Sequence, residues 1–270
     1  MHNAVKAAVF GGVIAVAAYG VYNFESQQSA LNKATQVKSS LKGKAVSGAP
    51  DFTAFTDVTE KKHAFFSYLK PGIALENQRI VKERKRLIRI KNDLQDNTIS
   101  DADIQDAKRL GQLYQVELTN NQISDEWIDA MLHRADVIPE ALVLTQAANE
   151  SAWGTSRFAR KAKNYFGQWC YSKGCGVVPL QRSEGMTHEV AKFSSVQESI
   201  HRYFMNVNRN NAYIELREIR FELREDGADL LSISSAMEMS NGLLKYSERG
   251  EEYVQDLQAM MRHNEKYWIN

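Results

Sequence analysis

The chain reads as a mainly α fold: a helical body, one small β-hairpin lobe and an N-terminal helical extension. Three observations predict it. Apolar residues recur at helical spacing through most of the sequence after residue 58. Glycine and strand composition collect in one stretch, residues 165–193, with Gly167, Gly174, Gly176 and Gly185. Helix-start signals such as Ser100-x-x-Asp103 and Ser195-x-x-Glu198, both read as capping boxes, precede the periodic runs.

Residues 1–24 read as a targeting segment. Residues 7–22 (AAVFGGVIAVAAYGVY) are uncharged and mostly apolar, and they follow Lys6 and the terminal amine. That apolar run is shorter than the ~20 residues a membrane helix needs. Ala15-Val16-Ala17 fits a small-residue cleavage site. A cleaved signal peptide and an uncleaved membrane anchor over residues 5–24 both stay open; so early a cleavage would leave a very short signal, which favours the anchor. Either reading exports the rest of the chain. Residues 25–50 are polar and rich in Ser and Lys, the composition of a flexible linker. Folded sequence is expected to start near Phe52.

Residues 51–134 form the helical extension. Phe65, Phe66 and Leu69 precede an expected break at Pro71-Gly72. A second helix runs from Glu76 to Leu94, with Ile80, Val81, Leu87 and Ile88 on its apolar side. It also carries Arg79, Lys82, Arg84, Lys85, Arg86, Arg89 and Lys91. Such a run reads as a solvated helix face; the sharper alternative is contact with an anionic polymer or membrane surface. Ser100 starts a helix with Ile104, Ala107, Gly111, Tyr114 and Leu118 on one face, and a short one follows around Trp127 and Met131. Residues 55–134 are a candidate arm for a protein partner or for regulation.

Residues 135–270 form the second region. Pro139 suits a helix start, and that helix runs through Glu150 to about Gly154. A short helix spans residues 155–163. Val177-Val178 and Glu189–Phe193 have strand composition, and Glu184-Gly185-Met186-Thr187 reads as the hairpin turn between them. Helices resume after Ser195, and Asn241-Gly242 stops one of them. The last carries Tyr253, Val254, Leu257, Met260 and Met261 on one face.

Composition narrows the chemistry. A net charge of +1 exerts no global pull toward nucleic acid. The sequence holds no glycine-rich phosphate loop, and its six histidines are scattered without ligand spacing. We expect neither a metal nor an organic cofactor. Cys170 and Cys175, the two cysteines of an exported chain, suggest one disulfide. Their spacing also suits half a zinc site, but no second pair exists to complete it.

The candidate site centres on QAANESAWGTSRFARKAKNYFGQW, residues 146–169. Its one carboxylate, Glu150, ends an apolar run and is followed by Trp153, Phe166 and Trp169. A carboxyl group in such surroundings keeps its proton to higher pH. A protonated carboxylic acid near neutral pH is the general acid that glycoside cleavage needs. The plainer reading of a lone Glu at a helix end is a cap partner or a solvated charge.

Glu150-Ser151-x-Trp153-Gly154 followed by Asn164-Tyr165-Phe166-Gly167 resembles the glucosaminidase family that cuts bacterial peptidoglycan, whose usual pattern is E-S-x-W-G and then N-L-F-G. CYSKGCG (170–176), THEVAKF (187–193) and KKHAFFSYLKP (61–71) resemble more closely the Bax proteins of Gram-negative bacteria within it. The resemblance spans residues 55–265. It implies a lysozyme-like α+β fold with a cleft between the lobes, a periplasmic location, and peptidoglycan glycan strands as substrate. With export, it makes the inner membrane a partner of the N-terminal segment.

For the site it implies Glu150 as general acid, and a second carboxylate in the hairpin. Glu184 and Glu189 are the candidates; opposite strand parity puts one of them toward the cleft, and the turn position favours Glu184. Tyr246 is similar to the first Tyr of the family's Y-A-T motif, and Tyr253 to its second, although Ser247 and Glu248 depart from that motif. Tyr246 would orient the N-acetyl group or stabilise charge. Trp153 packs beneath the acid or touches substrate; Phe166, Trp169 and Tyr253 are the other expected substrate contacts. The implied activity is endo-β-N-acetylglucosaminidase. A lytic transglycosylase and a non-catalytic wall-binding scaffold are the alternatives.

Overall fold

The computed structural model describes residues 43–179 and 188–267. The targeting segment, most of the linker and the expected hairpin turn with Glu184 lie outside them. Residues 42–270 group as one compact unit. The architecture is mainly α with a small antiparallel sheet, consistent with a lysozyme-like α+β fold.

Helix α1, Val58–Gln95, opens the body from its N-cap Asp57, whose carboxylate accepts the Glu60 N–H at 2.8 Å. It runs through Pro71 without the expected break. A proline inside a helix costs about 3 kcal/mol. Here Phe65, Phe66, Leu69 and Ile73, on both sides of the proline, are all at most 1% exposed. At roughly 1.5–3 kcal/mol for each buried side chain, their burial outweighs the lost bond. Gly72 serves packing rather than termination. A Cβ there would lie 2.6 Å from Gln197 Oε1 and 2.8 Å from Ile200 Cδ1 of the helix lying across it.

Much of the basic run of α1 is engaged in ion pairs. Arg79 pairs with Glu76 and Glu83, Arg84 with Asp136, Arg86 and Arg89 with Asp106 and Asp103, and Lys91 with Asp129. The pairs of Arg79 lie within α1, and the others tie α1 to the segments packed on it.

Helix α2 (Asp101–Tyr114) begins with the anticipated capping box at Ser100. Helix α3 (Asp125–Arg134) is capped by Ser124. Together with α1 they bury Leu87, Ile90, Leu110, Tyr114, Trp127, Ile128 and Met131 in one core cluster. Helix α4 (Glu140–Ser151) starts after Pro139 and is buried on nearly all sides. Helix α5 (Arg157–Ala162) is short and capped by Ser156.

The sheet follows: β1 (Trp169–Cys170), β2 (Gly176–Val177) and β3 (Glu189–Ala191), in the order β1-β3-β2, antiparallel. Trp169 pairs with Val190 and Gly176 with Ala191. The first strand is an addition to the expected hairpin, and Val178 lies outside β2.

Helices α6 (Val196–Arg209), α7 (Ile214–Glu225), α8 (Ile233–Ser240) and α9 (Glu251–Asn264) complete the body. At α6 only half of the expected capping box forms. Ser195 accepts the Glu198 N–H at 3.0 Å, while the Glu198 carboxylate turns to the backbone N–H of Ser194 at 2.8 Å. Helices α1, α8 and α9 pack against α4, which places the end of α4 inside the body.

The folded part begins before Phe52. Val46 is buried, its N–H donates to Gln197 Oε1, and Lys44 donates its N–H to the Pro71 carbonyl. The end of the expected linker thus packs on α1 and α6. Among the described residues no helix is long and apolar enough to cross a membrane.

Candidate active site

Glu150 sits in the last turn of α4 and is half-buried. Three consecutive residues with positive φ follow the helix: Ala152 (49°), Trp153 (57°) and Gly154 (75°). This sharp exit stops the helix directly after the acid. Ser151 holds it, its hydroxyl accepting the Gly154 N–H at 2.8 Å. A Cβ on Gly154 would lie 2.3 Å from the Phe52 ring, so only glycine fits there. The E-S-x-W-G motif is therefore mostly a turn that presents one carboxylate.

Asn164-Tyr165-Phe166-Gly167 folds over that carboxylate. Asn164 is buried and its amide spans the loop. Its Oδ1 accepts the N–H groups of Phe166 and Gln168 at 3.3 and 3.1 Å, and its Nδ2 donates to the Gln168 and Ala191 carbonyls at 2.8 and 2.9 Å. One side chain thus shapes the loop and ties it to β3. Gly167 has φ 63°, and a Cβ on it would lie 3.2 Å from Glu150 Oε2.

The two carboxylate oxygens of Glu150 differ. Oε1 accepts the Tyr253 hydroxyl at 3.0 Å and the Asn149 amide at 3.3 Å; Oε2 faces Gly167. Burial raises the Glu150 pKa, and the hydrogen bonds from Tyr253 and Asn149 offset part of that rise. A carboxyl group so placed holds a proton above the usual carboxylate range and can deliver it to a bound oxygen.

Behind Tyr253 lies a buried polar chain. Gln146 donates its Nε2 hydrogen to the Tyr253 hydroxyl oxygen at 3.0 Å, and the Tyr203 hydroxyl donates to Gln146 Oε1. Tyr246 stacks on Tyr253 with centroids 5.5 Å apart and planes 8° apart, and its hydroxyl donates to the Phe166 carbonyl at 2.9 Å. Tyr246 therefore links the last helix to the loop over the acid.

The other expected residues divide. Phe166 is 1% exposed and stacks on Tyr203 at 4.3 Å, so its ring belongs to the core rather than to an open cleft wall. Trp153 packs edge-on against Phe65 and Phe66, under Lys62. Through these contacts the ring packs on α1. Tyr253 touches the acid itself and is 1% exposed, so its hydroxyl is an acid contact rather than a broad sugar platform. Trp169 is 53% exposed and lies flat on the His188 ring, centroids 4.0 Å and planes 4° apart. It is an aromatic platform open to solvent.

Glu189 is 5% exposed, and its two oxygens accept the N–H groups of Gly174 and Gly176 at 2.9 and 2.8 Å. It pins the loop of the Cys170–Cys175 disulfide to β3. This clamp argues against Glu189 as the second catalytic carboxylate, because both oxygens are already engaged on backbone. Cys170, Cys175 and Glu189 cluster closely enough to hold a cation, but the two sulfurs bond each other and offer no thiolate, so the zinc half-site gives way to the disulfide.

Sequence reasoning missed Gln146 and Tyr203. Gln146 stands four residues before Glu150, on the same helix face, as a polar residue in an apolar run; that spacing was its signal. Tyr203 sits in an ordinary amphipathic helix and gives no such signal.

Comparisons with known proteins agree with this geometry. The family model described as glucosaminidase, mannosyl-glycoprotein endo-β-N-acetylglucosaminidase, matches residues 125–266, which contain Glu150, its hydrogen-bond partners and the loop over it. Protein bax of Escherichia coli (strain K12) is 34% identical over 221 residues, covering 82% of this chain and 76% of that protein. No solved structure matches the chain. A match of that extent, over residues that build the acid, its turn and its covering loop, makes the chain a Bax-like member of the glucosaminidase family of glycoside hydrolases.

Proposed function

We propose that the protein is an exported endo-β-N-acetylglucosaminidase that cleaves β-1,4 bonds of peptidoglycan glycan strands. One observation carries the reading: a half-buried carboxyl group, raised in pKa, with Oε1 engaged by donors and Oε2 facing the glycine of its covering loop. Glu150 transfers the proton on Oε2 to the glycosidic oxygen as the bond from that oxygen to the anomeric carbon breaks. The leaving sugar departs as an alcohol. Water then adds its hydroxide to the anomeric carbon and gives its proton to a second carboxylate, for which Glu184 is our candidate. Trp169, with His188 behind it, offers a face for a sugar ring, and Tyr246 holds the loop over the acid. The glycan substrate places the protein outside the cytoplasm, and residues 5–24 are our candidate for an inner-membrane anchor.

A lytic transglycosylase is the second reading, and the engagement of Glu189 favours it, because it leaves hydrolysis dependent on Glu184. A digest of purified peptidoglycan, reduced with borohydride and analysed by mass spectrometry, separates the two. We expect reduced N-acetylglucosamine ends with the wild type and none with Glu150→Gln. Anhydro-muramic ends would move the protein to the transglycosylases. Absence of product from both proteins, with binding to peptidoglycan retained, would make it a wall-binding scaffold.

A further inference from the structure

We propose that Gln146 is a positioning residue for the acid: its buried amide fixes the direction of the chain Tyr203–Gln146–Tyr253–Glu150, so that the proton of Glu150 is held on Oε2. The proposal rests on Glu150 acting as general acid.

The argument is one of donor and acceptor inventory. A tyrosine hydroxyl has one proton to give, whereas a glutamine amide has two unlike ends. Gln146 is 0% exposed, as is Tyr203, and Tyr253 is 1% exposed, so water does not complete their bonding. The Tyr203 hydroxyl donates to Gln146 Oε1. That leaves the Nε2 end for Tyr253, 3.0 Å away, and this end only donates. The oxygen of Tyr253 must therefore accept, and its single proton is free to go to Glu150 Oε1, also at 3.0 Å. With Asn149 as a second donor to Oε1, that oxygen takes the carbonyl role and the acid proton moves to Oε2, beside Gly167.

Turned end for end, the amide would reverse the chain. Tyr253 would donate to Gln146 and have nothing for Glu150. The acid would then spend its proton on Tyr253, pointing away from Gly167. Tyr203 prevents this, because the turned amide would leave its buried hydroxyl proton without the acceptor it has here.

Among the described residues, the ionisable groups that interact electrostatically with Glu150 are Tyr203 on α6, Tyr213 in the turn after it, Tyr246 before α9 and Tyr253 on α9. Burial raises all four above the ordinary phenol value, so they stay neutral at working pH. On α4 the neighbour is the neutral amide of Asn149, and the covering loop presents Gly167. Among these groups Glu150 alone titrates.

The test is the pH profile of kcat on peptidoglycan for the wild type, Gln146→Met, Tyr253→Phe and the double variant, with thermal unfolding measured alongside. Gln146→Met should lower kcat about tenfold with KM changed less than about twofold. Its alkaline limb should move to higher pH, because a bond donated to the carboxylate supports the charged form and weakening it raises the pKa. Tyr253→Phe should move the limb the same way, and the double variant no further, since Gln146 acts through Tyr253. A Gln146→Met protein that loses melting temperature and activity but keeps the wild-type limb would overturn the proposal, as would additive shifts in the double variant. If Gln146→Met does not fold, Tyr203→Phe takes its place. It keeps the stack on Phe166 and removes only the hydroxyl, and an unshifted limb there would also overturn the proposal. Equal activity of wild type and Glu150→Gln would instead sink the reading of Glu150 as the acid.

Discussion

Replacing Gly167 by alanine probes the acid without touching a reacting atom. The residue has φ 63°, and the new methyl group would lie 3.2 Å from Glu150 Oε2. The left-handed backbone costs an alanine about 1–2 kcal/mol. For a domain of this size that is a fall in Tm of about 2–8 °C. The contact itself forces Oε2 to give by a few tenths of an ångström, on the side from which we propose the proton leaves. Misplacing a reacting group by about 1 Å costs on the order of a hundredfold in rate. A shift of a fraction of that should cost roughly tenfold in kcat. Thermal unfolding and the rate of reducing-end release from peptidoglycan measure the two effects separately. A variant with the expected loss of stability but wild-type kcat would refute the idea that the Oε2 side of the acid is its working side. A variant with unchanged stability would refute the reading of the loop as a left-handed turn specific for glycine.

Three further outcomes follow from the same geometry. In the unfolded chain Glu150 titrates near 4.5, and burial raises that value in the fold. Between the two values the folded state keeps a proton the unfolded state has lost, so stability falls as pH rises through that window and the penalty persists above it. Glu150→Gln should therefore melt higher than wild type near pH 7, and the gap should close below about pH 4; a lower melting point at pH 7 would contradict this. Trp169→Ala should raise KM about five- to tenfold, with Tm within about 2 °C, since the residue is 53% exposed and its stack on His188 is the packing it gives up; an unchanged KM would remove it from the substrate path. Asp136 is buried beside Arg84, Arg220 and Arg224; burial disfavours its charge, but Arg84 and Arg224 overcome this and hold the carboxyl well below the usual range. Asp136→Ala should cost about 3–5 kcal/mol in urea unfolding, because it leaves buried arginines unpaired, and a loss below about 1 kcal/mol would mean that their backbone carbonyl partners suffice.

Much of this site was legible along the chain, because its motif is local. Glu150, Ser151, Trp153 and Gly154 are neighbours, and the turn they form depends on their own backbone conformation and one hydroxyl. Asn164 and Gly167 belong to a second local unit whose bonds mostly close within five residues. The capping box at Ser100 and the helix start at Pro139 were readable for a like reason: the first rests on a side chain reaching its own backbone, the second on the fixed φ of a proline. Pro71 marks the limit. Its local rule called for a break, and burial of side chains on both flanks overrode it.

Sequence by itself determined the helical character of the chain, its one glycine-rich lobe and the two motifs that frame the Glu150 carboxylate, since each is encoded by residues close together. Only the tertiary structure decided how the remaining groups are used. It turned Phe166 into a core ring and Trp169 into an open platform, spent Glu189 on the disulfide loop, and consumed much of the basic run of α1 in ion pairs. It also joined Gln146, Tyr203 and Tyr253 into a chain behind Glu150. The physical reason is common to all of these. Whether an aromatic ring is buried, or a carboxylate is already paired, depends on atoms brought from far along the chain, and no local spacing records which partner arrives.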